Sequence, residues 1–307
     1  MKKMMLLAVI PLVLCGCRKD KYKGLSFIVP TGAPAIAMSE FADLEGFETT
    51  TDPSTIVPLL ANGQYDVAVL PTNVGATVIN VKKAPYKMLC TITFGNLYIA
   101  STGKDDDGVM DENDYIVSFQ QGAVPDKIFH YVYGDTFDNA LHYVNGASDA
   151  AKCLKTGINL ADESKDVDYV LLAEPALTKV LETTPDASVY ANLQDLYKTK
   201  SGGLILTQAS VLVKNTLDKS TVRNALYKTI KDSVNHMIKK PSVIEDNMKK
   251  VSDPATIFGV EPEYAVKTTK DGNKMGLGCK LASDIKDDIN EFLTIFGANP
   301  IADENIA

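Results

Sequence analysis

From residue 24 onward, apolar positions alternate between short continuous runs and stripes at helical spacing. Leu25 to Val29 is a short apolar run, broken only by Ser26, that predicts a strand. Pro30-Thr31-Gly32-Ala33-Pro34 interrupts it, and Ala35, Met38, Phe41 and Ala42 then recur at helical spacing. Phe47 to Thr51 reads as a second strand. Asp52-Pro53-Ser54 opens a helix with Ile56, Leu59 and Leu60 on one face, and Gly63 closes it. Asp66 to Leu70 predicts a third, buried strand that ends in Pro71-Thr72-Asn73.

The same order returns about ninety residues later. Tyr115 to Phe119 predicts a strand, Gln120-Gln121-Gly122-Ala123-Val124-Pro125 follows, and Ile128, Phe129 and Val132 mark a helix. Leu141 to Val144 is a strand, and Gly146 and Gly157 bracket a helix. Asp168 to Leu172 is a buried strand ending in Ala173-Glu174-Pro175. In each copy a Gly-Ala step beside a proline starts the first helix, and an Asp begins the third strand. Alternating strands and helices imply parallel sheets with right-handed crossovers. Ligands of such sheets bind beyond the carboxyl ends of the strands. That selects Thr31, Gly32 and Ala33, then Pro71, Thr72 and Asn73, then Gln120, Gln121, Gly122 and Ala123, and finally Glu174. Two of these loops run into helix N-termini, whose free amides favour an anionic or strongly polar ligand group. Glu174 has two readings: a hydrogen-bond acceptor for a ligand, or an acid stabilising its own helix N-terminus.

The first seventeen residues are of another kind. Lys2 and Lys3 precede an apolar run from Met4 to Leu14, and Leu14-Cys15-Gly16-Cys17 closes it. This is the layout of a secretory signal peptide, and the run is about half the roughly 20 residues a bilayer span needs. Its end resembles the lipobox of bacterial lipoproteins, with Cys17 as the lipidated residue and residues 17–23 as a tether. Cleavage there removes Lys2 and Lys3 and moves the formal charge from −8 to −10. An acidic chain without a basic cluster argues against nucleic acid as a partner. Cys90, Cys153 and Cys279 are odd in number and form no CxxC pair, so buried thiols are expected rather than a disulfide framework. His130, His142 and His236 lie far apart, without metal-ligand spacing. Asp105-Asp106-Asp107-Gly108 lacks the spacing of a calcium loop and reads as a solvated turn. No metal, cofactor or catalytic set is expected.

The stretches PTGAPAIAMSEF (30–41), VPLLANGQYDVAVLPTNVGATVI (57–79), QGAVPD (121–126) and VDYVLLAEPALTKVL (167–181) together resemble the solute-binding proteins of ABC transporters, in the NitT/TauT (SsuA/Thi5-like) group. The resemblance covers roughly residues 24–240. It implies an α/β, two-lobed, periplasmic-binding-protein-like type II fold, each lobe a mixed sheet flanked by helices. Lobe 1 is then residues 24–97 and 205–307, lobe 2 is 98–204, and 1–16 is the signal peptide. Hinge strands are expected near Phe94 to Ala100 and Leu204 to Val213; Gly95-Asn96 reads either as a ligand contact at the hinge or as a simple bulge. The implied function is capture of a small polar or anionic organic molecule, such as a sulfonate or a pyrimidine thiamine precursor, for an ABC permease with its ATPase. The implied protein is a monomer on the extracytoplasmic face of the cell membrane or in the periplasm, held there by its lipid anchor. Tyr98, Tyr169 and Phe94 are the aromatic candidates for stacking, since the chain has no Trp. The alternatives are an enzyme on the same fold, of menaquinone-pathway or thiamine-pyrimidine type, or a ligand-sensing surface receptor. Past the hinge, Val222, Leu226, Ile230, Val234 and Met237 form one stripe of a helix over Ser220 to Ile238, and a further helix is expected over Leu281 to Phe296.

Overall fold

The computed structural model describes residues 21–105, 107–217 and 220–307. Cys17 and the expected signal peptide lie outside the described residues.

The chain begins with β1 (Phe27–Pro30), α1 (Ala33–Ala37), β2 (Phe47–Thr50), α2 (Ile56–Ala61), β3 (Val67–Pro71), α3 (Thr72–Asn80) and β4 (Tyr86–Thr93). It crosses to β5 (Leu97–Ser101), β6 (Ile116–Phe119), α4 (Val124–Tyr133), β7 (Leu141–Val144), α5 (Ala147–Thr156), β8 (Tyr169–Ala173), α6 (Ala176–Leu181), β9 (Ser188–Asn192) and α7 (Leu193–Lys200). It returns as β10 (Ala209–Lys214), α8 (Ser220–Lys239), α9 (Ser242–Met248), α10 (Pro254–Phe258), α11 (Pro262–Lys270), β11 (Leu277–Leu281) and α12 (Lys286–Thr294).

These strands make two sheets, ordered β11-β4-β10-β3-β1-β2 and β7-β6-β8-β5-β9. Each contains the same unit: three parallel strands with the first in the middle, then an antiparallel strand beside the third. Phe27 is in register with Phe47 and Val67, as Ile116 is with Leu141 and Tyr169. The antiparallel neighbour of β3 is the returning strand β10; that of β8 is the crossing strand β5. Each lobe is therefore a mixed sheet with helices on both faces.

Continuous apolar runs became central strands because both faces are covered. Phe27 and Val29 point into one core with Val67 and Val69, while Ile28 joins the opposite core with Ala68 and Leu70. In the second sheet Tyr169 and Leu171 face one way, and Val170 and Leu172 the other. The period-two alternation is intact, but each step lands in a core. Leu226, Ile230, Val234 and Met237 of α8 lie on the first core. The three cysteines are buried and free.

Two expected elements differ. Leu204 to Val213 is not one long strand: the ladder begins at Ala209, and residues 204–208 cross between the lobes as irregular chain. There the Ile205 amide donates to Asp288 at 2.7 Å, and Leu206 is buried in a lobe 2 core. The terminal helix is Lys286–Thr294, because Leu277–Leu281 pairs with β4 as an edge strand. That helix packs on both lobes. Ile289 and Leu293 lie in a lobe 1 core, and Phe292 lies among Leu97, Tyr197 and Leu206.

Candidate binding cleft between the lobes

The loops at the carboxyl ends of the parallel strands are built differently in the two lobes. In lobe 1 the Thr31 amide donates to the Thr50 carbonyl (2.9 Å) and the Gly32 amide to the Phe258 carbonyl (2.8 Å). Thr31 and Gly32 are half-buried, and Ala33 is buried under Pro34 at the start of α1. Pro71 closes β3. The Thr72 side chain turns away from the cleft: it is fully buried, and its hydroxyl joins that of Ser210 (2.8 Å), which meets Thr91 at 3.0 Å. Asn73, the next residue on α3, accepts the Thr77 hydroxyl on its carbonyl, but its side-chain oxygen is buried without a partner.

In lobe 2, Gln120, Gln121 and Gly122 are exposed, and Ala123 is half-buried beside α4. The Gly122 amide does not point freely at the cleft. It donates to Asp126 Oδ2 at 2.7 Å. Asp126 is buried, and its other oxygen accepts from the Tyr143 hydroxyl (2.5 Å) and lies 3.1 Å from His130 Nδ1. A carboxylate of the chain thus occupies the position that a ligand anion would take at this helix N-terminus. Burial and the Asp126 carboxylate push the Tyr143 hydroxyl well above its ordinary value. Asp126 lies in the quoted stretch QGAVPD, and the signal for its role was an acid in the first turn of a helix behind a glycine.

Glu174 and the hinge form one hydrogen-bonded unit. Glu174 is 2 % exposed. Its carboxylate accepts from the Thr178 amide and the Thr178 hydroxyl, both at 2.9 Å, so it caps its own helix α6. Its backbone is tied to Asn96: the Glu174 amide donates to the Asn96 carbonyl (2.8 Å), and Asn96 Nδ2 donates to the Glu174 carbonyl (2.6 Å). Asn96 Oδ1 accepts from Gln208 Nε2 at 2.7 Å. Burial pushes the Glu174 carboxyl up, opposed by the Thr178 hydrogen bonds and the charge of Lys274. Gly95 has φ +98°, and a Cβ there would stand 2.2 Å from Gln194 Cγ. Gln194 in turn accepts the Leu97 amide at 2.7 Å. Of the three aromatics, Tyr169 is fully buried and bonded to Asp105, so it does not reach the cleft. The Tyr98 hydroxyl donates to the Lys274 carbonyl (3.3 Å) and is pushed up to about 12 by burial and by the Glu174 charge. Phe94 is half-buried under Lys280.

Contacts that sequence reasoning missed also join the lobes. Lys179 of α6 holds both carboxylate oxygens of Glu261 at 2.8 Å and lies 5.8 Å from the Tyr264 ring centre. Lys267 of α11 pairs with Glu182. The partners are more than 80 residues apart in sequence, so no local pattern announces them. Among the described residues, no group of His, Cys, Asp and Glu is placed to hold a metal ion, and no helix is long and apolar enough to cross a membrane.

Neither a protein-family model nor a curated protein matches the sequence. Solved structures do match the fold. An ABC transporter protein from Parabacteroides distasonis superposes with a TM-score of 0.72 at 19% identity, over 92% of this chain and 98% of that one. The ligand-binding component of an ABC-type import system from Staphylococcus aureus, with zinc bound, gives 0.64 at 10% identity, over 92% and 95%. The periplasmic aliphatic sulphonate binding protein SsuA from Escherichia coli gives 0.61 at 11% identity, over 92% and 91%. The chain therefore has the two-lobed α/β fold of the periplasmic binding proteins. At these identities the likeness is one of fold.

Proposed function

We propose that the protein is an extracytoplasmic solute-binding lipoprotein. It captures a small polar or anionic organic molecule between its lobes and presents it to an ABC permease with its ATPase. The observation that carries this reading is the duplicated unit. In each lobe the carboxyl end of the third parallel strand meets the hinge, the Thr72 amide on the Gln208 carbonyl and the Glu174 amide on the Asn96 carbonyl, and among the described residues the chain crosses between the lobes at 94–96 and 204–208. Such a layout binds by closure, because a ligand touching both lobes favours the state in which they meet. The loops of Thr31 to Ala33, Asn73, Gly95 to Asn96 and Gln120 to Ala123 line the cleft, and Glu174 orients the hinge from beneath. Lipidation at Cys17 places the protein on the outer face of the membrane as a tethered monomer, and the division at residues 97 and 205 separates the lobes.

Thermal-shift and native mass spectrometry screening of the mature chain against sulfonates, pyrimidines, amines and aromatic acids identifies a solute. Small-angle scattering at saturation then reads closure. A ligand at a hundredfold excess over its Kd adds about 2.7 kcal/mol of stability, and the radius of gyration should fall. A saturated protein with an unchanged radius would sink the clamp. Cys17→Ala should move the protein from the membrane to the soluble fraction, and lipid labelling that persists in that variant would contradict the anchor.

A further inference from the structure

The chemistry of the hinge fixes the orientation of two side-chain amides. The Glu174 carbonyl can only accept, so the Asn96 atom 2.6 Å from it is Nδ2. Asn96 Oδ1 therefore faces Gln208, and the Gln208 atom 2.7 Å away is Nε2. Gln208 Oε1 is left over, buried and without a partner in the chain. Asn73 Oδ1 and the hydroxyls of Thr93 and Thr207 are in the same condition. The backbone gathers these four residues. The Gln208 amide donates to the Thr93 carbonyl and the Thr72 amide to the Gln208 carbonyl, both at 3.0 Å. Asn73 follows Thr72, and Thr207 precedes Gln208. One patch, where lobe 1 meets the hinge, thus holds the Gln208 side-chain carbonyl oxygen, which only accepts, the Asn73 carboxamide, which can turn its oxygen to a donor, and two hydroxyls that adapt.

A buried acceptor without a donor is unfavourable, so a concentration of them calls for donors from outside the chain. At the hinge, the charge of Lys274 already acts on the buried Glu174 carboxylate. The chain has only two arginines: Arg18 in the tether and Arg223 on α8. No guanidinium fork is available in the cleft loops to clasp a sulfonate or carboxylate. The Gly122 amide is taken by Asp126 and the Gly32 amide by the Phe258 carbonyl. Lys179 and Lys267 are paired with Glu261 and Glu182. We propose that the cleft holds its solute by an N–H-bearing head group, a primary amine, amide or amidine, donating to Gln208 Oε1 and Asn73 Oδ1, and that it discriminates against sulfonates and carboxylates of the same size. This rests on the reading of the cleft as the solute site and narrows its ligand class.

Two matched series test it on the full mature chain by calorimetry: propylamine, propionamide, propionate and propane-1-sulfonate, then benzamidine, benzamide, benzoate and benzenesulfonate. The N–H members should bind at least tenfold more tightly than the oxyanions on the same scaffold. Gln208→Met and Asn73→Leu should each weaken the N–H members tenfold or more. Asn73→Asp keeps the acceptor, adds a charge, and should strengthen the amine and amidine but not the amides. Circular dichroism melting checks that each variant folds, and Asn73→Asp carries the test if the apolar variants do not. Oxyanions that bind as tightly as the N–H members overturn the inference and leave solute capture standing. So do N–H ligands indifferent to Gln208→Met, Asn73→Leu and Asn73→Asp alike, which would assign these acceptors to water. Binding by neither series overturns both readings.

Discussion

Replacing Asn96 with Leu tests whether the hinge is held by its carboxamide chain. Asn96 is 5 % exposed, and its side chain makes one hydrogen bond to each side: its Nδ2 donates to the Glu174 carbonyl and its Oδ1 accepts from Gln208 Nε2. Leu fills nearly the same volume but strands an acceptor on one side and a donor on the other. Each stranded group costs about 1–3 kcal/mol. The two together set an expected loss of about 2–5 kcal/mol, the upper end reduced where the site relaxes toward water. Urea unfolding followed by far-ultraviolet circular dichroism and tyrosine fluorescence suits a chain with no Trp. Gln208→Leu in the same background closes a double-mutant cycle, and a coupling of about 1 kcal/mol or more is expected for groups in direct contact. A loss of under about 0.5 kcal/mol for Asn96→Leu, or additivity within about 0.3 kcal/mol, would refute the reasoning.

The remaining predictions concern the same region. Gly95→Ala forces a Cβ to 2.2 Å from Gln194 Cγ at φ +98°; overpacking costs about 1–3 kcal/mol, and the left-handed backbone about 1–2 more. Its Tm should fall clearly, and an unchanged melt would show that the hinge has room to adjust. Glu174 is raised above its ordinary 4.5 by burial, so the folded state binds this proton more tightly than the unfolded chain does. Its contribution to stability therefore declines as pH rises from about 4.5 through the raised value and is flat beyond. Glu174→Gln should erase that segment of the stability–pH curve while leaving its other limbs, and an identical curve would remove Glu174 from the account. Lys179→Ala with Lys267→Ala cuts the two exposed ion pairs between α6 and α11. In scattering, the ligand-free double variant should have a larger radius of gyration at low salt than the parent and little further response to salt. A parent-like salt response in the variant would assign the lobe contact to something else.

How far the chain could be read in advance depended on the range of the physics. The parallel strands were legible because burial on both faces leaves a continuous apolar signature, as in Val67 to Leu70 and Tyr169 to Leu172. Of the four edge strands, Phe47–Thr50 and Leu141–Val144 were legible too, and the other two were not. Ser188–Asn192 is largely exposed and Leu277–Leu281 contains a glycine and an irregular register, so neither shows a run. Residues 204–206 look like a strand and are irregular, because their apolar side chains are used by the opposite lobe and by α12 rather than by a ladder. At the cleft, the loops that follow parallel strands were legible, since strand ends and glycine punctuation are local. The partners of those loops were not. Asp126 on the Gly122 amide, Thr72 turned into the sheet and Gln208 on Asn96 are tertiary facts about ordinary polar residues.

Among the described residues, the contacts that hold the lobes together differ in what breaks them. The ion pairs of α6 with α11 are exposed, so water and salt replace them at little cost. Asn96 and Glu174 are buried and Gln208 is half-buried, so polar groups are stranded away from bulk water on breaking the carboxamide chain. Behind it, Phe292 is fully buried in a lobe 2 core while its neighbours Ile289 and Leu293 sit in a lobe 1 core. Separating the lobes there would expose a whole aromatic side chain, on the order of 1.5–3 kcal/mol for its transfer to water alone. The weakest contact thus lies at the α6–α11 face, and the strongest along residues 94–96, 204–208 and α12. A rotation that opens the first while sparing the others keeps Gln208 tied to Asn96 and turns lobe 2 about it. The unpartnered Gln208 Oε1 stays beside that tie as lobe 2 turns, so the patch proposed above for the solute would keep its geometry in both states.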